Sequence, residues 1–272
     1  MKTMESKKLA GKSAKNTVKI VKMWDIPFYG SKRSRVLKDL LSKKKGKSFW
    51  VVTVNPEFVM KSRKDGEFLK LLSKSDVNVV DGIGIIWAKK VLEKEGIRLG
   101  RAFRVGLEVL QGKYSEEVVA GSWLMGELCR EAAKRGEKVF FLGGFGDRAK
   151  RSGENLEKKY AGLKFESCEG MPKVANSEVI KRINDFKPKY LFVAYGMKKQ
   201  EEWIEKNKSK LEVGVVMGVG RSFDYYSGDL KLAPMAWRKM GLEWLYSLIK
   251  DPKRWKRQLA LPKFIWMVLR SR

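Results

Sequence analysis

The sequence predicts an α/β fold, namely a Rossmann-like, mostly parallel sheet with flanking helices and a C-terminal appendage of amphipathic helices. Short β-branched and aromatic runs alternate with segments of helical period through most of the chain. Most of the predicted strands end in a polar or glycine-rich turn. After Pro234 the sequence becomes Trp-rich and basic. We therefore expect a flexible basic tail over 1–18, an α/β domain over 19–230 and the appendage over 231–272.

The first half contains three short apolar runs of strand character, each followed by a turn signal. The turn after the first run is predicted at Ile26-Pro27-Phe28, and three glycines (Gly100, Gly106 and Gly112) interrupt the last stretch. We read that stretch as an inserted helical hairpin or flap. In order, the predictions are strand 19–23, helix 34–41, strand 49–54, helix 57–73, strand 77–80, helix 83–92 and the insertion over 96–115.

The second half alternates more regularly. Each apolar run is followed by a segment with apolar residues at helical spacing. The predictions are helices over 122–135, 147–160, 177–186 and 200–206, and strands over 138–142, 164–167, 190–195 and 213–217. In the appendage we expect helices that are broken at Pro252 and Pro262.

The composition excludes several kinds of chemistry. The chain of 272 residues has no histidine, which rules out a Ser-His-Asp triad, a Cys-His pair and a His-ligated zinc site. Its two cysteines, Cys129 and Cys168, are too few for a disulfide scaffold and suit a reducing compartment. Acid–base chemistry must then rest on carboxylates, Lys, Tyr or Cys.

Positive charge is concentrated at the two ends. The chain carries 59 Lys and Arg against 31 Asp and Glu, a formal charge of +28, and the first 50 and last 42 residues hold most of the excess. Such ends attract nucleic acid, anionic lipid or phosphorylated ligands, although for the first 20 residues we prefer a solvated Lys-rich surface. We find no spanning segment and no secretion signal, so we expect a protein kept inside the cell.

Glycine turns follow several strands at what should be one edge of the sheet. Gly143 and Gly144 end one strand, and Gly218, Gly220 and Arg221 follow another. Glycine lets backbone N–H groups approach a phosphate, whereas any one such turn is as readily structural. Together they favour a nucleotide phosphate. A minority alternative is NAD, because residues 144–149 fit a dinucleotide fingerprint with Glu166 as the ribose-binding acid.

Asp81 is the carboxylate that we single out. It closes an apolar strand and precedes Gly82, so its side chain should lie at the ligand edge, with an N-cap on the following helix as the balanced alternative. No D-x-D pair occurs in the chain. We therefore expect no metal dependence and no cofactor.

The appendage combines large apolar side chains with basic flanks. Trp and Leu recur at helical spacing, and Arg238, Arg254, Trp255 and Arg257 lie among or beside them. This pattern is typical of helices that lie on an anionic bilayer. Packing on the α/β body and nucleic-acid binding are the alternatives, and we rank the membrane surface first and expect no nucleic acid.

At these loops the chain resembles the WecG/TagA/CpsF family of bacterial glycosyltransferases, from about residue 19 to residue 269. The order and spacing of six motifs carry the resemblance. They are Thr53-Val54-Asn55-Pro56-Glu57, Asp81-Gly82-Ile83-Gly84, Phe141-Leu142-Gly143-Gly144, Gln200-Glu201-Glu202-Trp203-Ile204, Gly218-Val219-Gly220-Arg221-Ser222-Phe223-Asp224, and the stretch from Ala233-Pro234 through Gly241-Leu242-Glu243-Trp244-Leu245 to Pro252-Lys253-Arg254.

The resemblance implies an inverting, metal-independent enzyme at the cytoplasmic membrane face. Such enzymes transfer an N-acetylmannosamine-type sugar from UDP to polyprenyl-diphosphate-linked N-acetylglucosamine, in the synthesis of teichoic acid or related surface polymers. It also implies a homo-oligomer. The UDP-sugar is then a substrate, and the alternatives are a non-catalytic nucleotide- or carbohydrate-binding protein at the membrane surface, or an NAD-dependent oxidoreductase.

The resemblance also assigns roles to residues. Asp81 would be the general base, Thr53 and Asn55 would lie near sugar and acceptor, and Gln200 would contact the donor. The glycine loops, with Arg221 and Asp224, would hold UDP, and Arg238, Arg254, Arg257 and Trp255 would serve the lipid diphosphate or the membrane. Four positions depart from the family pattern, namely Lys198, Arg221, Leu232 and Ser247; Arg221 could replace the arginine that the family commonly has at the position of Ser247.

Overall fold

The computed structural model describes residues 6–8, 19–93, 97–169, 176–252 and 255–271. Its centre is one nine-stranded sheet with the strand order β1-β2-β3-β5-β4-β9-β8-β6-β7. The pairs β1–β2 and β2–β3 are antiparallel, and every pair from β3 to β7 along this order is parallel. The Rossmann-like α/β prediction is confirmed. The strands are β1 (Ser6–Lys8), β2 (Lys19–Met23), β3 (Ile26–Tyr29), β4 (Phe49–Val54), β5 (Val77–Val80), β6 (Lys138–Gly143), β7 (Lys164–Cys168), β8 (Tyr190–Ala194) and β9 (Val215–Gly218).

Helices cover both faces of the sheet. A cluster of buried side chains on one face includes Trp50 and Phe140, and a second on the other face includes Phe141 and Phe192. Because successive residues of a strand point to opposite faces, neighbours such as Phe140 and Phe141 serve different clusters. The helices are α1 (Arg33–Leu41), α2 (Pro56–Ser62), α3 (Gly66–Lys74), α4 (Ile83–Leu92), α5 (Arg98–Leu110), α6 (Gly121–Arg135), α7 (Arg148–Lys159), α8 (Asn176–Phe186), α9 (Lys199–Asn207), α10 (Ser222–Tyr226), α11 (Met235–Lys239), α12 (Glu243–Lys250), α13 (Trp255–Gln258) and α14 (Ala260–Arg270).

Three predictions in the first half are wrong, and two of them concern residues 26–28 and 57–73. Residues 26–28, predicted as a turn, form strand β3, and the turn lies one step earlier at Trp24 and Asp25, which both have positive φ. The single helix predicted over 57–73 is two helices. Asp65 starts the second one, because its side chain accepts a hydrogen bond from the N–H of Phe68 at 3.1 Å.

The 96–115 insertion is not a hairpin. Residues 98–110 form one continuous helix, α5, and a short 3-10 turn follows at 115–117. Gly100 and Gly106 lie inside the helix. Within the predicted basic tail, Ser6–Lys8 forms an edge strand against β2.

The C-terminal helices are packed on the body. Phe264 and Val268 of α14 are buried in the same cluster as the sheet, and the Phe264 ring meets Trp24 edge-on with 5.3 Å between centroids. Arg257 forms two 2.9 Å hydrogen bonds with the Glu57 carboxylate of α2. Pro262 lies in the first turn of α14 and breaks nothing there. No helix among the described residues is long and apolar enough to cross a bilayer.

Candidate active site

The carboxyl ends of the parallel strands meet at one edge of the sheet, which we call the carboxyl edge. The loops leaving β4, β5, β6, β8 and β9 all open there. Ligands of open α/β sheets bind at this edge, because the loops and helix N-termini converge there. Most of the residues that the sequence singled out lie along it.

Thr53 and Asn55 both have a structural contact at this edge. The buried Thr53 hydroxyl donates to the carbonyl of Gly218 at 3.3 Å and so ties β4 to β9. The Asn55 side chain accepts a hydrogen bond from the N–H of Phe58 at 3.1 Å, which makes it the N-cap of α2. A Cβ on Gly121 would lie 3.3 Å from the Thr53 methyl group, so the start of α6 is pressed against Thr53.

Asp81 lies at the carboxyl edge, directly after β5. Its carboxylate accepts a hydrogen bond from the N–H of Gly121, the first residue of α6, and its own N–H donates to the Val54 carbonyl at 2.8 Å. Burial, together with the nearby negative charge of Glu243, raises the pKa of this carboxyl from 3.8 to about 7. Gly82, with φ of 119°, caps α4 instead and no side chain does. The N-cap alternative for Asp81 is therefore wrong.

Glu243 is the residue whose role the sequence did not reveal. It begins α12 and is itself partly buried, and burial raises the pKa of its carboxyl while Arg238 lowers it. α12 reaches Asp81 because the chain before it crosses α4 closely. A Cβ on Gly241 would lie 2.8 Å from Ile83, so only glycine fits that crossing. Two carboxyl groups of raised pKa thus face each other, a pattern that clusters at catalytic sites.

A cavity of about 260 Å³ adjoins this carboxylate pair, between α10, α12 and the segment joining α10 to α11. Glu243, Tyr225 and Arg221 line it. Burial raises the pKa of the Tyr225 hydroxyl to about 12, and Glu243, Arg221 and Asp81 are close enough to influence it. The cavity and Asp81 therefore belong to one polar site.

Two arginines at this site have a buried N–H group without a hydrogen-bond partner. One is an Nη of Arg221 and the other is the Nε of Arg238. The described residues contain only four arginines with such a group, the other two being Arg98 and Arg130. A buried donor without an acceptor is costly, and an anionic ligand at the carboxyl edge would supply the acceptor.

Asp224 holds the arginines in position. Its carboxylate bonds to Arg148 at 2.7 Å and to Arg221 at 3.1 Å, and the other side of the Arg221 guanidinium reaches Asp251 at 3.4 Å. Both carboxylate oxygens of Asp224 are thus engaged by cations. The structure gives it a positioning contact, whereas the sequence prediction had it among the residues that hold UDP.

The glycine loops shape the edge, and two of their N–H groups are already used. Gly143 and Gly144 have φ of 88° and 86°, and a Cβ on Gly143 would collide with the Tyr195 ring at 2.7 Å. The N–H of Gly144 donates to the Ala194 carbonyl at 3.0 Å, and that of Gly220 donates to Gln200 at 3.2 Å. These two N–H groups are therefore not available to a ligand, whereas the cationic side chains around the cavity can donate to one.

Gln200 supports the loop after β9 by a hydrogen bond from within the protein. It is buried, accepts the Gly220 N–H and donates to Glu201 at 2.8 Å. A Cβ on Gly218 would lie 2.6 Å from its amide nitrogen. Burial raises the pKa of the Glu201 carboxyl to about 7, and this carboxyl caps α9 by accepting the N–H of Lys198.

The residues predicted for the lipid side are dispersed. Arg257 is engaged with Glu57, Trp255 is exposed on α13, and Arg238 lies beside Glu243. Arg254 lies outside the described residues. Among the three that the structure describes, only Arg238 lies next to the carboxylate pair.

The position of Glu166 does not support the NAD interpretation, in which this residue would bind the ribose. Glu166 pairs with Arg182 at 3.2 Å and lines a groove with Lys138, which begins β6 at the opposite edge of the sheet. Its carboxylate is therefore already engaged by a cation. As for metals, no group of three or more His, Cys, Asp or Glu side chains suited to a metal ion occurs in the part of the chain that the structure describes.

Comparison with known proteins gives a consistent picture. The family model described as Glycosyl transferase WecG/TagA/CpsF family matches residues 21–105 and 97–272. The chain is 30% identical over 237 residues to a protein of Staphylococcus aureus strain MW2, covering 87% of this chain and 85% of that relative. The corresponding protein of strain NCTC 8325 / PS 47 aligns with the same identity and coverage. Both relatives are named N-acetylglucosaminyldiphosphoundecaprenol N-acetyl-beta-D-mannosaminyltransferase.

Proposed function

This chain belongs to the WecG/TagA/CpsF family of glycosyltransferases, and from that premise we propose that it transfers N-acetylmannosamine from UDP to a polyprenyl-diphosphate-linked N-acetylglucosamine. The relatives' names supply the sugar and the lipid acceptor. The UDP donor, inversion of the anomeric centre and independence of metal ions are our own additions. The product would enter the synthesis of a teichoic acid-like surface polymer.

In the proposed reaction Asp81 acts as the base. The acceptor hydroxyl oxygen attacks the anomeric carbon, its proton passes to the Asp81 carboxylate, and the bond from that carbon to the UDP oxygen breaks with its electron pair leaving on UDP. One displacement inverts the centre. A carboxylate whose pKa is about 7 is well matched to this task near neutral pH, because it is both basic and substantially ionised there.

The proposal rests on the occurrence, in one site, of a carboxyl group with a raised pKa and of arginine N–H groups that have no hydrogen-bond acceptor. UDP leaves as a diphosphate anion, and Arg221 and Arg238 offer buried N–H groups that lack an acceptor. Donors fixed in advance stabilise the developing charge without reorganisation. Because the chain contains no D-x-D pair, we assign the charge stabilisation to arginine and not to a cation clamp.

The setting follows from the acceptor. A polyprenyl substrate stays in the bilayer, so the enzyme must work at its surface, and we place it peripherally on the cytoplasmic face. Exposed Trp255 and Trp266 on the basic C-terminal helices suit that surface. We also propose a homo-oligomer, on the family resemblance alone.

The experiment is a transfer assay with purified full-length chain, UDP-N-acetylmannosamine and a short-chain prenyl-diphosphate N-acetylglucosamine. We expect transfer in the presence of EDTA, a β-linked disaccharide by NMR, and competition by UDP. UDP-N-acetylglucosamine and UDP-glucose serve as control donors. No transfer from any UDP-sugar would contradict the proposal.

Calorimetry separates the alternatives. We expect UDP to bind and NAD not to bind, since the Glu166 carboxylate is paired with Arg182. Binding of NAD without UDP would favour the oxidoreductase. Binding of UDP and acceptor without turnover would favour a non-catalytic binding protein.

A further inference from the structure

The exposed large apolar side chains of this protein are confined to two stretches of sequence. Fourteen such side chains are exposed among the described residues, and thirteen of them lie within 97–110 or 235–266. The exception is Phe145, in the loop after β6. The second stretch is the C-terminal region, which we already expect to contact lipid. The first contains α5, which the sequence predicted to be part of an inserted hairpin or flap and which has no role in the proposed reaction.

α5 has two apolar faces. Ala102, Val105 and Val109 are buried against the body. On the other side, four large residues spaced by four, four and three positions form one stripe along the helix. This α5 stripe consists of Leu99, Phe103, Leu107 and Leu110, which are 72%, 71%, 45% and 44% exposed.

Helix α5 contacts the C-terminal helices through its buried face and at its C-terminal end. α14 packs against α5, and Phe264 and Val268 share a core cluster with Ala102 and Val105. At the other end of α5, Cβ atoms on Gly112 and Gly241 would lie 3.4 Å from Lys239 and 2.9 Å from Val109. The two exposed apolar stretches therefore belong to neighbouring helices and not to opposite sides of the molecule.

The positive charge of α5 and of the whole chain favours an anionic partner for the α5 stripe. α5 carries three arginines, Arg98, Arg101 and Arg104, and its one acidic residue, Glu108, is paired with Lys113 at 2.7 Å. With a formal charge of +28, the chain is attracted to a bilayer rich in anionic lipid.

We propose that α5 lies in the surface of an anionic bilayer, with the α5 stripe inserted among the lipid chains beside the C-terminal helices. The inference rests on the proposed function, because it gives the lipid-linked acceptor a reason to be there. α5 is joined to α4, which begins two residues after Asp81. The bilayer contact would thus fix the height of the base above the membrane, and the C-terminal helices would not be the sole anchor.

The test compares vesicle binding of the full-length protein with that of the double variant Phe103→Ser and Leu107→Ser. Both positions are exposed, so circular dichroism and thermal unfolding should be unchanged. We expect partitioning onto phosphatidylglycerol–phosphatidylcholine vesicles to weaken by about tenfold or more, because two large apolar side chains would no longer leave water for the lipid chains. Phe145→Ser is the matched control and should bind vesicles like the wild type.

Two results would overturn the inference. One is vesicle binding of the double variant equal to that of wild type. The other is a change of oligomeric state in sedimentation velocity without a change in vesicle binding, which would make the α5 stripe a contact between copies of the chain. Transfer to the short-chain, water-soluble acceptor is measured in parallel. If the wild type fails that assay, the proposed function fails, whatever the vesicles show.

Discussion

Two aspartates flank the four-residue strand β5 and meet opposite environments. Asp76, at the amino end, accepts the N–H of Trp50 at 2.8 Å and pairs with Lys208. Asp81, at the carboxyl end, faces Glu243 and has no cation among the groups that shift its pKa. The aspartate at the amino end of β5 is thus paired with a cation, whereas the groups that shift the pKa of the aspartate at the carboxyl end include no cation.

The contrast extends along both edges of the sheet. At the amino edge, Glu137 binds Lys189 at 2.9 Å and the Ser48 hydroxyl donates to the Leu211 carbonyl at 2.6 Å. At the carboxyl edge, the carboxyl groups of Asp81 and Glu243 have a raised pKa, and Arg221 and Arg238 each have a buried N–H group without an acceptor. A buried donor without an acceptor costs stability, so an anionic ligand that accepts from these two arginines would complete this edge.

The largest expected effect comes from removing the carboxylate of Asp81. Asp81→Asn keeps the shape but cannot accept the proton, so we expect kcat for sugar transfer to fall about 10²–10⁴-fold, the usual contribution of a general base. Asp76→Asn, at the other end of β5, is the control and should keep kcat within about twofold of wild type. Equal losses of kcat in the two variants would contradict the conclusion that the carboxyl edge, and not the amino edge, holds the catalytic base.

The next effect concerns the arginine in the cavity. Arg221→Met keeps the length but removes the N–H donors, and we expect kcat/KM for the UDP-sugar to fall about 10–100-fold, as for a lost charged hydrogen bond. Arg182→Met removes a similar charge at the amino-edge groove and should have no such effect. A value for Arg221→Met within about twofold of wild type would contradict its role with the diphosphate.

A smaller effect is expected in the pH dependence. The rate should rise with pH through about 7, as the Asp81 carboxyl loses its proton. Glu243→Gln removes the negative charge that raises this pKa, so the rise should shift to lower pH, by about one unit or less. Glu137→Gln is the control at the amino edge. A shift to higher pH, or none, would mean that Glu243 does not act on Asp81.

The smallest effect is on stability. Because the pKa of Asp81 is raised on folding, the folded protein loses stability as pH rises from about 4 to about 7. Asp81→Asn removes this loss, so urea unfolding at pH 8 should show a gain of about 1–2 kcal/mol. Asp76→Asn should instead cost about 1 kcal/mol, because it weakens a paired site. We therefore expect the two substitutions to change the free energy of unfolding in opposite directions, and changes of the same sign would contradict this expectation.

The site could be predicted from sequence where it depends on local patterns. β4, β5 and α4 have the expected limits, because apolar runs, a proline and a glycine mark their ends. That placed Asp81 at the carboxyl edge. β3 was missed because Pro27 suggested a turn, although its carbonyl still accepts a hydrogen bond from Asn78 at 3.0 Å.

The rest depends on contacts between distant segments. Glu243 reaches Asp81 only because Gly241 lets the chain before α12 cross Ile83 closely, and one sequence does not reveal that crossing. The exposure of the α5 stripe is similar. Its apolar residues could equally have been core, and only the packed structure distinguishes the buried side of Val105 from the exposed side of Phe103.

The most direct test is the single-turnover rate of N-acetylmannosamine transfer to a short-chain prenyl-diphosphate acceptor, measured from pH 5 to pH 9 in EDTA. We expect the wild-type rate to rise with an apparent pKa of about 7, and the small residual rate of Asp81→Asn to lack that rise. If Asp81→Asn follows the wild-type profile at a similar rate, the proton is taken elsewhere and the assignment of Asp81 as the base is wrong.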